Sequence, residues 1–402
     1  MAQSHAPARL GKIPAGVWAL GFVSLLMDVS SELIHSLLPV FMVTTLGVSV
    51  FVVGLIEGAA ESTALIIKVF SGALSDYWGK RKPLAVLGYG LGAISKPLFA
   101  LASSAGWVVG ARLLDRVGKG IRGAPRDALV ADITPPELRG AAFGLRQSLD
   151  TVGAFLGPLL AIGLMLLWAN DFRSVFWFAT VPAFLCVLLL IFGVQEPERA
   201  PSERRTNPIR RDNLKRLGVD YWWVVGIGAV FTLARFSEAF LVLRAQSGGL
   251  ALAWTPIVLI AMNLIYAACA YPFGKLADRL PHVSLLSWGL LLLIAADVLL
   301  ATTDHGFVLW SGIALWGLHM AMTQGLLATM VADTAPADMR GTAYGLFNLC
   351  SGVTMLVASG LAGWLWDQRG ASFTFVAGAV FSGIALVLIL LRGPSQFKSR
   401  EG

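Results

Sequence analysis

Long apolar stretches separated by short polar loops run along the whole chain. A membrane-spanning helix needs about 20 mostly apolar residues. Twelve such stretches are centred near residues 28, 58, 92, 115, 155, 184, 230, 260, 292, 318, 353 and 382. The stretches near 115 and 318 are the weakest of the set. The pattern predicts an all-α polytopic membrane protein with twelve transmembrane helices.

Composition supports lipid as the solvent of this chain. Hydrophobic residues make up 56% of it and charged residues 14%, against about 25% charged residues in a soluble domain. The first stretch carries Asp28 and Glu32 and lacks a small-residue exit site, so we interpret it as the first span and not as a signal peptide. The three isolated cysteines, without a CxxC pair, are expected to be buried small hydrophobes and not metal or disulfide ligands.

The second half of the chain repeats the first. Gly72, Leu74 and Asp76 return 202 residues later as Gly274, Leu276 and Asp278, and the segment 130–145 returns 201 residues later as 331–346. The repeat predicts two pseudo-symmetric six-helix halves, 1–194 and 220–402, joined by a polar linker, 195–219. Such duplication is a common plan of secondary transporters, whose halves rock about a central site.

Lysine and arginine are concentrated in alternate loops, which sets the expected orientation. One side holds Arg9, Lys12, Lys80–Lys82, Arg139, the basic linker, Lys275, Arg340 and Lys398, whereas the other holds little beyond Arg173, Arg244 and Arg369. The bias predicts that both termini are cytoplasmic, in a bacterial inner (plasma) membrane. It also accounts for the net charge of +7 without a nucleic-acid partner, because basic residues follow the inner leaflet.

Charged residues inside the predicted spans are the main functional signal, because a charge at membrane depth costs at least about 2.5–3.5 kcal/mol on insertion scales. In the first half they follow helical spacing, so acids of spans one and two and bases of span four form stripes that should face each other or a wet cavity. Lys96 in span three belongs to the same set. The candidates for proton coupling in the central cavity are Asp28, Glu32, Glu57, Glu61, Arg112, Arg116, Lys119 and Asp150.

The second half is poorer in such residues, so we expect it mainly to shape the substrate pocket. Possible substrate contacts are His35, Arg122, Arg235, Glu238, Asn263, His319, Gln324 and Asn348. Structural interpretations stay open for several residues of the first half. Arg112 with Asp115, and Arg126 with Asp127, could be solvated at the cytoplasmic end of span four. Glu61 could pair with Lys68 along one helix face, and His35 could lie at the outer interface.

The hypothesis drawn from the charge stripes is a proton carrier in span one. Burial would favour the protonated form of Asp28 or Glu32, and a nearby Arg116 would favour the ionised form. If alternating access changes the distance between acid and base, the acid would bind a proton on one side and release it on the other. Substrate and proton would then compete for the cavity, giving exchange.

Three local motifs resemble those of the major facilitator superfamily. The segment from Gly72 to Lys82 is similar to its loop signature between spans two and three, and Gly274 to Arg279 is similar to the degenerate second copy. The segment 116–124 resembles its span-four element, with Lys119 in place of the usual glutamine. Gly153-Ala-Phe-Leu-Gly157-Pro158 resembles the span-five element of the drug/metabolite:proton antiporter branch, without the glycine pair that normally follows.

This resemblance implies the twelve-helix major facilitator fold and transport by alternating access, with export in exchange for protons. It implies gating by Gly72, Asp76, Gly79, Arg81, Gly274 and Asp278, and a helix-packing role for Gly153, Gly157 and Pro158. By the same resemblance we expect a functional monomer that needs no cofactor.

The substrate class is less well defined by the sequence. Efflux of a drug-like molecule or metabolite ranks first; transport of an organic anion, metal ion or metal chelate, as importer or exporter, is the alternative. A lipid translocator or membrane receptor ranks lower. No motif of a hydrolase, P-loop or metalloenzyme occurs, and the loops are too short for a catalytic domain, so an enzyme is not expected.

Overall fold

The computed structural model describes residues 13–78, 80–135, 138–196, 217–277, 280–303, 305–324, 326–336 and 339–392. These residues form fifteen α-helices, one short 3-10 helix (Leu252–Trp254) and their connections, with no strand among them. Their bounds are α1 Ala15–His35, α2 Leu38–Thr44, α3 Val50–Trp78, α4 Lys82–Ala100, α5 Ala105–Ile133, α6 Arg139–Leu167, α7 Phe172–Gly193, α8 Val219–Ala234, α9 Ala239–Ser247, α10 Ile257–Ala277, α11 His282–Thr302, α12 Gly306–Thr323, α13 Leu326–Thr334, α14 Arg340–Arg369 and α15 Ala371–Arg392.

These helices form twelve spans, as the apolar pattern predicts. Within the described residues, eleven spans are long and apolar enough to cross a membrane by length and composition. The twelfth is α5, whose eight charged residues from Arg112 to Asp132 keep its mean hydropathy low. Because α5 packs against α3 and α4, neighbouring helices shield most of that charge from lipid. The predicted linker 195–219 lies mostly outside the described residues.

Three spans are interrupted, and each interruption has a local cause or consequence. Span one breaks between α1 and α2, where Pro39 occupies the first turn of α2 and lacks an amide hydrogen. Span seven breaks at residues 235–238, between α8 and α9, and thereby frees polar backbone groups near the membrane centre. Span ten breaks at Gln324, whose backbone is extended.

The two halves meet along a close seam between α3 and α14. Gly54 and Gly58, one turn apart on α3, lie against the backbone at Ser359 and Leu356 of α14, and a side chain at either glycine would overlap that backbone. Small residues one turn apart allow membrane helices to approach this closely. A shorter seam joins α6 to α10, and α2 contacts α9 across the halves.

The buried hydrophobic core shows that this conformation is closed at one end. Helices α1, α4 and α6 begin at the same end of the bundle, which we call the basic end. We call the opposite end the far end. At the far end a single core contains residues of both halves, including Phe41, Phe176, Phe240 and Trp316. At the basic end the core is split into one cluster in each half. The buried core is therefore shared by the two halves at the far end and divided between them at the basic end.

A carboxylate also bridges the halves at the far end. Asp367, in the last turn of α14, accepts hydrogen bonds from the backbone amides of Val50 (3.2 Å) and Phe51 (2.9 Å), the first residues of α3. A carboxylate at a helix N-terminus satisfies free amides and interacts favourably with the helix dipole. Asp367 therefore acts as a cap on a helix of the other half.

Replacing Asp367 with alanine is expected to weaken far-end closure by about 1 kcal/mol, the typical value of a lost N-terminal cap. Ser36, fully buried at this end, provides the readout. In a Ser36→Cys variant without the native cysteines, a water-soluble maleimide should react about fivefold faster once Asp367 is alanine. Alanine at the adjacent exposed Gln368 is the control, and equal rates in both variants would contradict a capping role for Asp367.

Part of the predicted gating loop is tied to its own half. The Arg81 Nε atom lies 3.1 Å from Asp132 Oδ2 at the end of α5, and the Glu196 carboxylate accepts hydrogen bonds from the amides of Arg81 and Lys82. The same pair recurs 201 residues later, where His282 Nδ1 lies 3.6 Å from Asp333 Oδ2. The repeat thus extends to a side-chain contact. Gly79, Asp278 and the Asp76 side chain lie outside the described residues, so their gating roles stay predictions.

Candidate functional site

The charged stripes predicted for the first half face each other in a series of ion pairs. Helix α5 supplies one member of each pair, because its charges recur every three or four residues on one face. Three pairs connect it to α4 and α3: Lys96 Nζ–Asp115 Oδ1 (2.7 Å), Arg112 Nη2–Glu57 Oε2 (2.6 Å) and Arg116 Nη1–Glu61 Oε1 (3.0 Å).

The pair between Arg112 and Glu57 is almost completely buried, with 2% and 1% of the two side chains exposed. Arg112 therefore lies inside the bundle, in the far-end half of α5, and the interpretation that it is solvated at the cytoplasmic end is wrong. Its Nη2 also lies 2.6 Å from His35 Nδ1. Because arginine can only donate, His35 accepts and its ring is neutral.

Glu61 is the most accessible member of these pairs, with a third of its side chain exposed. Its partner is Arg116 and not Lys68, whose side chain is exposed one to two turns away. The alternative pairing of Glu61 with Lys68 is therefore wrong. Glu61 marks the point where the paired region meets the space between the halves.

A second cluster of pairs lies nearer the basic end. Arg146 Nη1 and Asp150 Oδ2 are 2.6 Å apart, Arg126 Nη2 lies 3.0 Å from Asp127 Oδ1, and weaker contacts cross-link the two pairs. Arg126 also donates to the Ser24 hydroxyl of α1 (3.2 Å). Asp127 is 40% exposed whereas Arg126 is 15% exposed, so water reaches Asp127 more readily than Arg126. The contact with Arg146 holds Asp150 in an ion pair.

Four charged residues between these clusters have no ion pair within 4 Å in the part of the chain that the structure describes. They are Asp28 and Glu32 on α1 and Lys119 and Arg122 on α5. Lys119 is exposed although it lies at the middle of α5, so it projects into the space between the halves. It interacts electrostatically with Glu32 and Asp28. Arg122 is buried, with its guanidinium 4.9 Å from the centre of the Tyr89 ring.

The predicted helix-packing element positions the two acids. A side chain at Gly153 of α6 would meet Asp28 Cβ at 3.0 Å, and one at Gly157 would meet Glu32 Cβ at 2.8 Å. The glycines therefore allow α6 to approach α1 at the two acids, as small residues do in membrane helices. Pro158 lies inside α6 directly after this contact. The sequence predicts that this element packs against another helix, and the structure shows that the other helix is α1.

The second half contributes polar groups at its interrupted span. Arg235 Nη2 and Glu238 Oε1 are 3.7 Å apart in the break between α8 and α9, and both are partly exposed. Glu238 interacts electrostatically with Glu61 and Lys119 of the first half. Charges of both halves therefore surround the same central space. Their use in substrate binding stays a prediction.

The remaining candidates of the second half are arranged differently. Asn263 and Asn348 are partly buried and Gln324 is exposed at its helix break. His319 has no exposed surface, and its Nδ1 lies 2.8 Å from the Gly289 carbonyl of α11. In this conformation His319 therefore packs between helices and does not line the central space.

Two features of the structure lie outside the sequence-based predictions. One is Asp297, a fully buried acid in α11, although a single carboxylate in an apolar span is itself a signal. The other is the direct pair of Lys96 with Asp115. No group of three histidine, cysteine or acidic side chains within the described residues could hold a metal ion.

Comparison with known proteins identifies the family. The model of the Major Facilitator Superfamily matches residues 20–358 and 245–401. The chain is 34% identical to an uncharacterized MFS-type transporter of Methanocaldococcus jannaschii, covering 94% of this chain and 95% of that protein. It is 23% identical to the quinolone resistance protein NorA of Staphylococcus aureus, covering 96% and 99%.

Solved structures share the fold. A bacterial homologue of the human lysosomal transporter Spinster, in an inward-facing and occupied conformation, superposes with a TM-score of 0.77 at 17% identity, covering 96% of this chain and 98% of that one. The family model spans nearly the whole chain, and the 34% identical relative is covered almost end to end. The chain is therefore a multi-pass membrane protein that belongs to the Major Facilitator Superfamily of secondary transporters.

Proposed function

We propose that this transporter exports a small molecule in exchange for protons, with Asp28 and Glu32 as the proton carriers. The observation that carries the proposal is the pairing pattern. Every other acid of the central region has a basic partner among the described residues, whereas these two have none within 4 Å. A paired carboxylate is held in its ionised form, and an unpaired one at membrane depth is not.

The electrostatic surroundings of the two acids suit reversible protonation. Lys119 and Arg122 influence Asp28, and Lys119 and Arg116 influence Glu32, without forming ion pairs with them. Small changes in these separations would change which form of each acid is favoured. Rocking of the halves about the α3–α14 and α6–α10 seams would provide such changes.

The conformation is consistent with exchange in the direction of export. The two halves share no buried core cluster at the basic end, so we take this end as the open one; the distribution of lysine and arginine predicts that it is cytoplasmic. In this state substrate would enter from the cytoplasm and the acids would release their protons there. Opening of the far end would release substrate outside and reload the acids. The resistance protein NorA, named for quinolones, is consistent with export but does not define this chain's substrate.

A second function is favoured by the two unpaired bases. Once Asp28 and Glu32 are protonated, Lys119 and Arg122 leave the site with excess positive charge, which attracts an organic anion. Anion and protons would then bind together and move in the same direction. The two functions therefore predict opposite proton movements when substrate is added.

Inside-out vesicles with an acidic lumen, monitored by a pH-sensitive dye, distinguish the two functions. The test panel contains lipophilic cations, organic anions and divalent metal ions. Exchange predicts that one class makes the lumen less acidic, whereas co-transport predicts further acidification by an anion. The response should be absent in the Asp28→Asn/Glu32→Gln variant. A substrate that is transported with no proton movement in either direction would contradict proton coupling.

A further inference from the structure

The second half contains a buried acid that the transport mechanism above does not use. Asp297 lies in α11, and none of its surface is exposed. Neither carboxyl oxygen has a hydrogen-bond partner among the described residues. Burying a polar group without a partner is unfavourable, and burying an ionised carboxylate without a partner is far more so.

The surroundings of Asp297 leave little room for water. A side chain added at Gly378 of α15 would lie 2.5 Å from Asp297 Oδ2 and 3.1 Å from the Phe236 ring. The carboxyl group of Asp297 and the Phe236 ring, which lies in the break between α8 and α9, therefore both lie close to Gly378. The Ser382 hydroxyl, one turn after Gly378, is also fully buried and has no described partner.

The elements packed around Asp297 carry few charged or titratable groups, and none exerts an electrostatic effect on it among the described residues. Arg235 and Glu238, at the α8–α9 break, contact each other. On α9, the Arg244 Nε donates to the Leu300 carbonyl (2.9 Å), and on α12 His319 contacts Gly289. Residues 371–391 of α15 contain no charged side chain. Among the residues that the structure describes, no counterion is therefore in place for a carboxylate at this position.

Asp297 is connected through Gly378 and Phe236 to the contact that closes the far end. Phe236 packs on Phe240 with ring centres 5.3 Å apart, and on Trp316 at 5.6 Å. A Cβ atom added at Gly54 of α3 would in turn lie 3.1 Å from the Phe240 ring, at the seam with the first half. All three aromatic residues belong to the core that joins the halves at the far end.

We propose that Asp297 is a second proton-binding site, whose proton is bound while the far end is closed and is released when that end opens. In the closed state the carboxylic acid keeps its O–H bond. When the aromatic contacts separate and water enters, that bond breaks, the proton passes to water at the far end and a carboxylate remains. Because Asp297 has no exposed surface toward the basic end, this proton is not transported.

The sign of the pH effect follows from linkage. A proton bound more tightly by the closed state stabilises that state, so acidic solution favours closure and alkaline solution favours opening. One proton can change the ratio of closed to open molecules by at most about tenfold per pH unit. Asp297 would thus adjust opening to the pH outside the cell without altering the proton stoichiometry of transport.

Distances between spin labels at Ser103 and Phe307, exposed far-end residues of the two halves, test the proposal without a transport assay. The labels are placed in an Asp28→Asn/Glu32→Gln background, which removes the two unpaired acids of the central region. We expect this protein to shift toward the longer distance as pH rises. Adding Asp297→Asn should abolish the shift and leave the short distance at every pH. Identical pH responses with and without Asp297→Asn would overturn the proposal.

A second measurement keeps the proposal testable if the asparagine variant does not fold. Infrared spectroscopy of the wild-type protein at neutral pH should show the carbonyl stretch of a protonated carboxylic acid that exchanges slowly with deuterated water. Asp297→Ser should lack this band. Retention of the full band in Asp297→Ser would show that the protonated acid is another residue and would contradict the proposal.

Discussion

Replacing Asp28 with asparagine and Glu32 with glutamine is expected to abolish proton-driven transport while exchange of substrate for substrate continues. These acids have no ion-pair partner among the described residues, so they alone in the central region can gain and lose a proton without breaking a pair. The amides keep the size of the side chains and the contact with Gly153 and Gly157. Uptake into proteoliposomes with an imposed pH gradient, compared with counterflow without one, measures both activities.

Asp171→Asn is the matched control for this variant. Asp171 caps α7 outside the spans, and the hydrogen bond from Ser174 holds the pKa of its carboxyl below the usual range, so it stays ionised throughout the assay. Asparagine caps helices as well as aspartate does. Proton-driven transport should therefore be unchanged in the control. Undiminished proton-driven transport in the Asp28/Glu32 variant would show that the carrier is elsewhere.

Removing one partner of the buried pair between Arg112 and Glu57 is expected to destabilise the protein by about 3–5 kcal/mol, because it leaves an uncompensated buried charge. Glu57→Gln leaves Arg112 facing only neutral His35 and the substituted amide. Replacing both residues by apolar ones, Glu57→Leu with Arg112→Met, should restore most of the stability, since no buried charge remains. Thermal unfolding in detergent measures each variant.

The pair of Arg235 and Glu238 provides the contrast for that experiment. Its atoms are 3.7 Å apart and both side chains are partly exposed, so Glu238→Gln should cost less than about 1 kcal/mol. Equal losses of stability in Glu57→Gln and Glu238→Gln would mean that burial of the pair between Arg112 and Glu57 does not control its contribution to stability. A double replacement as unstable as Glu57→Gln alone would point to lost packing as the cause.

Much of the fold can be predicted from the sequence because apolar stretches, an internal repeat and charged residues recur at regular intervals along it. Apolar stretches give the twelve spans, and the repeat from Asp132 to Asp333 gives the two halves and even a recurring side-chain contact. The three-to-four-residue spacing of charges predicts that acids of spans one and two and bases of span four face each other or a wet cavity. The structure pairs the acids of α3 with the bases of α5, whereas the acids of α1 have no ion pair among the described residues. The glycines at 153 and 157 indicate close helix packing, although only the structure shows that they pack against Asp28 and Glu32.

Individual partners are not predictable from spacing. Glu61 could contact Lys68 on its own helix or Arg116 on another, and the choice depends on how α3 and α5 are rotated and tilted. The alternative that places Arg112 at the cytoplasmic end of α5 is wrong because the position of a residue along a span depends on where the helix begins, which the apolar pattern defines only loosely. Closure at the far end depends on contacts between halves, which no local pattern specifies.

The most direct test of proton-coupled export by Asp28 and Glu32 uses the substrate identified in the vesicle screen. Proteoliposomes are loaded with equal substrate inside and outside, and a pH gradient is imposed. The proposal predicts net substrate movement into the more acidic compartment, reversal when the gradient is reversed, and no movement in the Asp28→Asn/Glu32→Gln variant. Net movement that ignores the gradient, or that persists in the variant, would contradict it.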